Sequence, residues 1–122
     1  MHETSLVRSL LSQVANILHD YPGSRVESIR VEIGPLSGVE PLLVSSAFDR
    51  LVESTPSRGA SLCIEHIDLA ACCRDCDVEF VVDQFAFVCP DCASNRVTIL
   101  RGDEFRLLDV TIERDSSSEG EP

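Results

Sequence analysis

Four cysteines fall in two matched pairs, Cys73-Arg-Asp-Cys76 and Cys89-Pro-Asp-Cys92, with twelve residues between the pairs. Two intervening residues let the chain turn so that both sulfurs of a pair face one centre. Two such turns supply the tetrahedron of thiolates that closed structural zinc sites use. The gap between the pairs is a little shorter than the commonest zinc-ribbon gap. It accommodates a hairpin carrying the apolar cluster Phe80, Val82, Phe85 and Phe87. Iron held by four cysteines shares this spacing; zinc is preferred because no other feature points to electron transfer. A thioredoxin-type redox pair needs a single motif beside a helix start in a βαβ unit, and that context is missing. Cys72 adjoins Cys73, but only Cys73 keeps the two-residue gap to Cys76. Cys63, in an expected strand, reads as a small buried hydrophobe.

A second set of donors stands at the start of the chain, Met1-His2-Glu3. A bulky residue at position 2 discourages removal of Met1, so the free amine belongs to methionine. That amine, the His2 imidazole and the nearby backbone amides lie within one short chelating segment. Deprotonated amides with imidazole suit square-planar nickel(II) or copper(II), and such binding strengthens with pH as protons are displaced. The plainer alternative for His2 is an exposed residue near a frayed end. Glu3 has a plain role as well, an acid at a helix amino terminus. His19 and His66 read as structural or solvated.

The chain of 122 residues carries a formal net charge of -11, and its ten basic residues are all arginine. Such a surface repels phosphate backbones and anionic membranes and favours cations or basic partners. Between Ala70 and Leu100, Arg74 and Arg96 stand against Asp75, Asp77, Glu79, Asp83 and Asp91. That balance argues against a nucleic-acid-reading ribbon. The amino terminus has no basic segment followed by an apolar run, so no secretory signal is expected and a cytoplasmic location is. Six cysteines in that setting point to metal or redox chemistry rather than a disulfide framework. No nucleophile-base arrangement, phosphate-binding glycine loop or carboxylate pair points to an enzyme.

The elements that must position these donors follow from periodicity. Leu6, Leu10, Val14 and Ile17, with Val7, Leu11 and Leu18 beside them, mark a helix from about Ser5 to Tyr21, stopped by Pro22-Gly23. Ile29, Val31 and Ile33 alternate with Arg30 and Glu32 as in a half-buried strand. A second helix starts near Pro41, with Leu43, Ala47, Phe48, Leu51 and Val52 on its inner face. A second strand spans Ala60 to Leu69, and Leu108, Val110 and Ile112 mark a third. The expected fold is α+β: two helices on a three-stranded sheet, with an inserted four-cysteine zinc-ribbon-like module. Residues 1–69, completed by strand 103–114, form one domain and 70–102 the zinc-binding module. Residues 115–122 are expected to be a disordered acidic tail.

In order and spacing these features resemble the HypA hydrogenase-maturation proteins over nearly the whole chain. The resemblance rests on Met1-His2-Glu3, on Ile33-Gly34-Pro35-Leu36-Ser37-Gly38-Val39-Glu40, on Ala47-Phe48-Asp49, on the paired cysteines, and on Gly102-Asp103-Glu104-Phe105. It implies a nickel metallochaperone serving nickel-iron hydrogenase and, in some organisms, urease. Nickel as transient cargo would be held by the Met1 amine, the amides of His2 and Glu3, and the His2 imidazole. Structural zinc would be held by Cys73, Cys76, Cys89 and Cys92. The Glu3 side chain and Glu40 match acidic positions associated with the nickel site, where Glu40 orients the terminus or contacts a partner. The resemblance also implies a HypB-type GTPase and a nickel-iron hydrogenase large subunit as partners. Some relatives carry an extra histidine near the zinc module; this chain has none between Cys73 and Gly102. The competing function is a zinc-stabilised protein-protein adaptor without a second metal.

Overall fold

A computed structural model describes residues 2–114 of the chain. The expected tail at 115–122, and Met1, lie outside the described residues. The elements run α1 (His2–His19), β1 (Ser24–Ile33), α2 (Pro41–Leu51), a 3-10 turn (Val52–Ser54), β2 (Ser61–His66), β3 (Ala70–Cys73), β4 (Glu79–Val81), β5 (Val97–Arg101) and β6 (Phe105–Arg114). They form two three-stranded sheets, ordered β2-β1-β6 and β4-β3-β5. The two helices and the first sheet are the expected α+β arrangement, and the cysteine segment carries the second sheet. Among the described residues no helix is long and apolar enough to cross a membrane. By their contacts the residues divide into two compact units. Among the described residues one comprises 2–31, 39–64 and 107–114; the other comprises Glu32–Gly38 and Glu65–Arg106.

In the first unit α1 packs on α2. The helices bury Val7, Leu10, Leu11 and Val14 of α1 with Val44, Ala47 and Phe48 of α2. These positions recur at three- and four-residue intervals, one stripe of each helix. Ala47, Phe48 and Val52 are buried as the sequence predicts, but at the start of α2 Leu43 is 44% exposed and Val44 is fully buried in its place. In β1, Val26, Ile29 and Val31 are buried. Helix α1 starts at His2 rather than near Ser5, because Glu3 is itself buried and bonded. Helix α2 starts with Pro41 at its first turn and Glu40 as its cap, the Glu40 carboxylate accepting from the Leu42 N–H at 3.3 Å. Along β2, Leu62 and Ile64 are half-buried and Cys63 is exposed. Strand alternation places Cys63 on the opposite face, so it is not the buried hydrophobe expected from sequence.

Ion pairs join β1 to β6. Arg25 binds Glu113, and Arg30 grips both carboxylate oxygens of Asp109. The partner number falls as the β1 number rises, so the two strands run in opposite directions. Hydrogen bonds from Arg30 hold the Asp109 carboxyl below the usual carboxylate range; partial burial opposes this and the Arg30 charge adds to it.

The cysteine-bearing unit has its own small core. Leu69, Ala71 and Val82 are buried, and Phe80, Phe87, Val97 and Ile99 pack against them. Strand β3 pairs antiparallel with both β4 and β5, Ala71 lying opposite Phe80 on one side and Ile99 on the other. The chain between the two cysteine pairs is therefore not the expected self-contained hairpin. Its strand β4 pairs back onto β3, and Phe85, expected in the apolar cluster, is 57% exposed. Segment 32–38 belongs to this unit through backbone bonds. The Gly34 N–H donates to the Glu104 carbonyl at 3.0 Å and the Leu36 N–H to the Gly102 carbonyl at 2.8 Å. The Gly34 and Gly102 backbones meet so closely that a Cβ on Gly34 would lie 2.2 Å from the Gly102 carbonyl carbon.

Two outcomes are expected. Gly34→Ala must push one backbone away from the other. It should cost about 1–3 kcal/mol, the range for inserting a methyl group into a filled site, read as a lower urea midpoint. Asp109 has a folded pKa below its unfolded value. The stability it contributes is therefore complete above the unfolded pKa of about 4 and is lost as pH falls through the lower folded value. Asp109→Asn should flatten the acid limb of the stability profile relative to the parent chain.

Candidate metal centre

The two cysteine pairs adopt the same backbone form, residue for residue. In the first, the Cys73 N–H donates to the Val78 carbonyl at 2.9 Å, and the Asp77 N–H donates to the Cys73 carbonyl at 2.9 Å. In the second, the Cys89 N–H reaches the Ser94 carbonyl at 2.8 Å, and the Ala93 N–H the Cys89 carbonyl at 2.9 Å. Within each turn an amide points at the leading sulfur: Asp75 N–H to Cys73 Sγ and Asp91 N–H to Cys89 Sγ, both 3.4 Å. The residue after each second cysteine takes a left-handed backbone, φ 64° at Asp77 and 63° at Ala93. That conformation is unusual without glycine, and it closes each turn tightly enough to aim both sulfurs inward.

All four Sγ atoms lie within 4.8 Å of one another. Cys73 Sγ is 3.6 Å from Cys92 Sγ, and Cys76 Sγ is 3.6 Å from Cys89 Sγ, so each short contact joins one turn to the other. A tetrahedron with metal–sulfur bonds of about 2.3 Å has edges of about 3.8 Å. A disulfide would bring two sulfurs to about 2.05 Å. The spacing fits four thiolates around one ion. Cys73 and Cys89, the leading members, are buried; Cys76 and Cys92 lie at the surface.

Electrostatics point the same way. Burial pushes the Cys73 thiol up, but the N–H groups of Cys76 and Asp75 and the neighbouring sulfurs outweigh it and bring Cys73 down to about 7. At Cys76 the Val78 N–H favours the thiolate, yet the Cys89 sulfur, burial and the remaining sulfurs push it up to about 12. Cys92 is likewise raised: the Ser94 N–H favours its thiolate, but the Cys73 sulfur, burial and the Cys89 sulfur prevail. The protein alone thus favours the thiolate at Cys73 and disfavours it at Cys76 and Cys92. A divalent cation removes the mutual repulsion and allows four thiolates together. The donor set is that of structural zinc, and no coordination position is left over for substrate.

Three residues to which the sequence analysis gave no part in the site join the two turns. Ser94 donates its hydroxyl to Asp75 and accepts from the Arg96 N–H at 3.1 Å. The Arg96 guanidinium sits 3.4 Å from Asp75, and the Arg74 N–H donates to the Arg96 carbonyl at 2.8 Å. Their readable signal was position: Asp75 and Ser94 occupy fixed offsets within two matched turns. Cys72 does not point with the ligands. It lies between Ala71 and Cys73 on β3, and its thiol is raised by burial and by the charges of Asp77 and Glu79.

The amino-terminal donors are placed differently. His2 is the first described residue of α1 and is exposed. Glu3 is 9% exposed, and its Oε2 accepts the Glu40 N–H at 3.1 Å. That bond leads the causes holding the Glu3 carboxyl below its ordinary range, with its own N–H next; burial opposes, and the His2 charge adds. Glu3 and Glu40 are thus brought together through the Glu40 backbone, while the exposed Glu40 side chain caps α2.

Comparison with known proteins gives a consistent result. The family model described as hydrogenase/urease nickel incorporation, metallochaperone, hypA matches residues 1–112. The hydrogenase maturation factor HypA of Shewanella oneidensis is 33% identical over 114 residues, covering 93% of this chain and 97% of that one. Its counterpart from Aquifex aeolicus is 35% identical over 115 residues, covering 94% and 100%. Among solved structures, the Ni metallochaperone HypA from Helicobacter pylori aligns with TM-score 0.64 at 29% identity, covering 88% of this chain and 94% of that one. A second solution structure of a HypA protein aligns with TM-score 0.74 at 30% identity, covering 93% and 98%.

The left-handed turn residue gives a direct test of the cage. Ala93→Gly removes the Cβ penalty and should leave zinc retention intact or improved. Ala93→Val places a β-branched side chain at that φ and should speed zinc loss to a chelator. Because each ligand must shed its proton to bind, chelator resistance of the parent chain should fall as pH falls.

Proposed function

The chain belongs to the HypA family of hydrogenase/urease nickel-incorporation metallochaperones, and from that premise we propose that it takes up Ni(II) at its amino terminus. The ligands are the Met1 amine, the backbone amides of His2 and Glu3, and the His2 imidazole. Nickel is cargo held in the helical unit, while Cys73, Cys76, Cys89 and Cys92 hold zinc in the other. The protein performs transfer rather than catalysis. It works in the maturation of nickel-iron hydrogenase, with urease as the other recipient class, in the cytoplasm. A HypB-type GTPase supplies the metal and the hydrogenase large subunit receives it.

The observation that carries this reading is the start of α1 at His2. The first four N–H groups of a helix have no acceptor within it. Deprotonating the amides of His2 and Glu3 for nickel therefore sacrifices no bond to a helix carbonyl, and at Glu3 it gives up only the N–H contact to that residue's own carboxylate. Two amidates also neutralise the charge of one Ni(II), which offsets the unfavourable placing of a cation at a helix amino terminus. The Glu3 carboxylate is already engaged by the Glu40 N–H. Its part is to hold the first turn against α2 and so fix where the ligands begin. An exposed, open site of this kind can exchange its metal, whereas the thiolate cage cannot do so without unfolding its turns.

The test is a nickel titration of the untagged, zinc-loaded protein. His2→Ala, and separately a short extension that buries the Met1 amine in a peptide bond, should each abolish stoichiometric nickel binding while zinc stays bound. Unchanged nickel affinity in both variants rejects the terminal site, and no stoichiometric nickel uptake by the parent chain leaves the zinc-stabilised adaptor.

A further inference from the structure

The cysteine-bearing unit has a second feature that metal binding does not use. A groove of about 300 Å³ opens beside β4, with Pro35, Ile67, Leu69, Val81 and Phe85 among its lining residues. Val81 is 54% exposed and Phe85 57%. Phe85 does not join the core; Phe80 and Phe87 do. It is instead held outward on a backbone in which two successive non-glycine residues are left-handed, Gln84 at φ 53° and Phe85 at φ 59°. A bulky aromatic residue in that region is uncommon, and such positions cluster where a side chain is presented to a ligand.

The charge around the groove is of one sign. Asp68 and Asp83 line it, and no basic residue does. Both aspartates are exposed. Strand β4 is an outer strand of its sheet, paired only with β3. A narrow groove with apolar walls fits an extended chain whose alternate side chains enter it. The acidic lining excludes phosphate-bearing ligands and anionic membrane, and it attracts arginine or lysine.

We propose that this groove docks an extended segment of a partner protein in which basic and apolar residues alternate. Phe85 is the apolar anchor, and Asp68 and Asp83 select the basic side chains. The surface gives the metal carrier a means of recognising a client, and it is independent of where nickel binds.

The test uses the full zinc-loaded chain without nickel, so failure here and failure of the terminal nickel site are separately visible. A fluorescein-labelled peptide alternating arginine and valine is titrated by polarisation, beside glutamate–valine and arginine–serine counterparts. Saturable binding of the first is expected, weakened about fivefold or more by Phe85→Ala, as for an interface anchor. The double change Asp68→Asn with Asp83→Asn should weaken it similarly, and both counterpart peptides should bind less well. Val81→Ser alters the groove wall without touching the left-handed loop, so it reports on the groove even if Phe85→Ala loosens that loop. Zinc content checks the fold of each variant. No saturable binding, equal binding of arginine–serine, or indifference to both Phe85→Ala and Val81→Ser overturns the proposal.

Discussion

Four sulfurs held within 4.8 Å of one another can be ionised together only around a cation. The cysteine-bearing unit is organised around that constraint. Its small apolar core, centred on Leu69, Ala71 and Val82, is too little to order some fifty residues unaided. Both short sulfur contacts cross from one turn to the other. The ion that closes the cage therefore also fastens β3 to the segment that leads into β5. The Asp75–Ser94–Arg96 bonds fasten the same two turns from outside. Metal binding and folding are one event in such a unit.

The helical unit shows the opposite design. Its core of Val, Leu, Ile and Phe side chains from α1, β1 and α2 stands without a metal. Two of the proposed nickel ligands, His2 and Glu3, are the first described residues of α1, where amides have no helical acceptor. One bond, Glu40 N–H to Glu3, ties that first turn down. A carrier needs one metal it keeps and one it releases. The closed thiolate tetrahedron and the open terminal chelate we propose would supply both within one chain.

Much of this was legible in the residues because it is local. Two matched Cys-x-x-Cys turns identify their ligands by spacing alone, and α2 was readable from Pro41 onward. Misreadings came where local pattern competes with tertiary contact. Leu43 and Val44 are both apolar, and only packing against α1 decides that Val44 is inside. Cys63 looks like a core residue until strand alternation sets it opposite Leu62 and Ile64. Phe85 resembles Phe80 and Phe87 in sequence, yet a left-handed backbone turns it outward.

By itself the sequence determined which four sulfurs could share one centre, the two turns that carry them, the acidic surface and most of the helical stripes. Each depends on residues within a few positions of one another, where backbone geometry is the main rule. The tertiary structure alone decided that Cys73 meets Cys92 and Cys76 meets Cys89, that Gly34 lies against Gly102, and that Glu3 holds the Glu40 amide. Those partners are far apart along the chain. Their pairing follows from how whole elements fill space together, and short-range spacing carries no record of that.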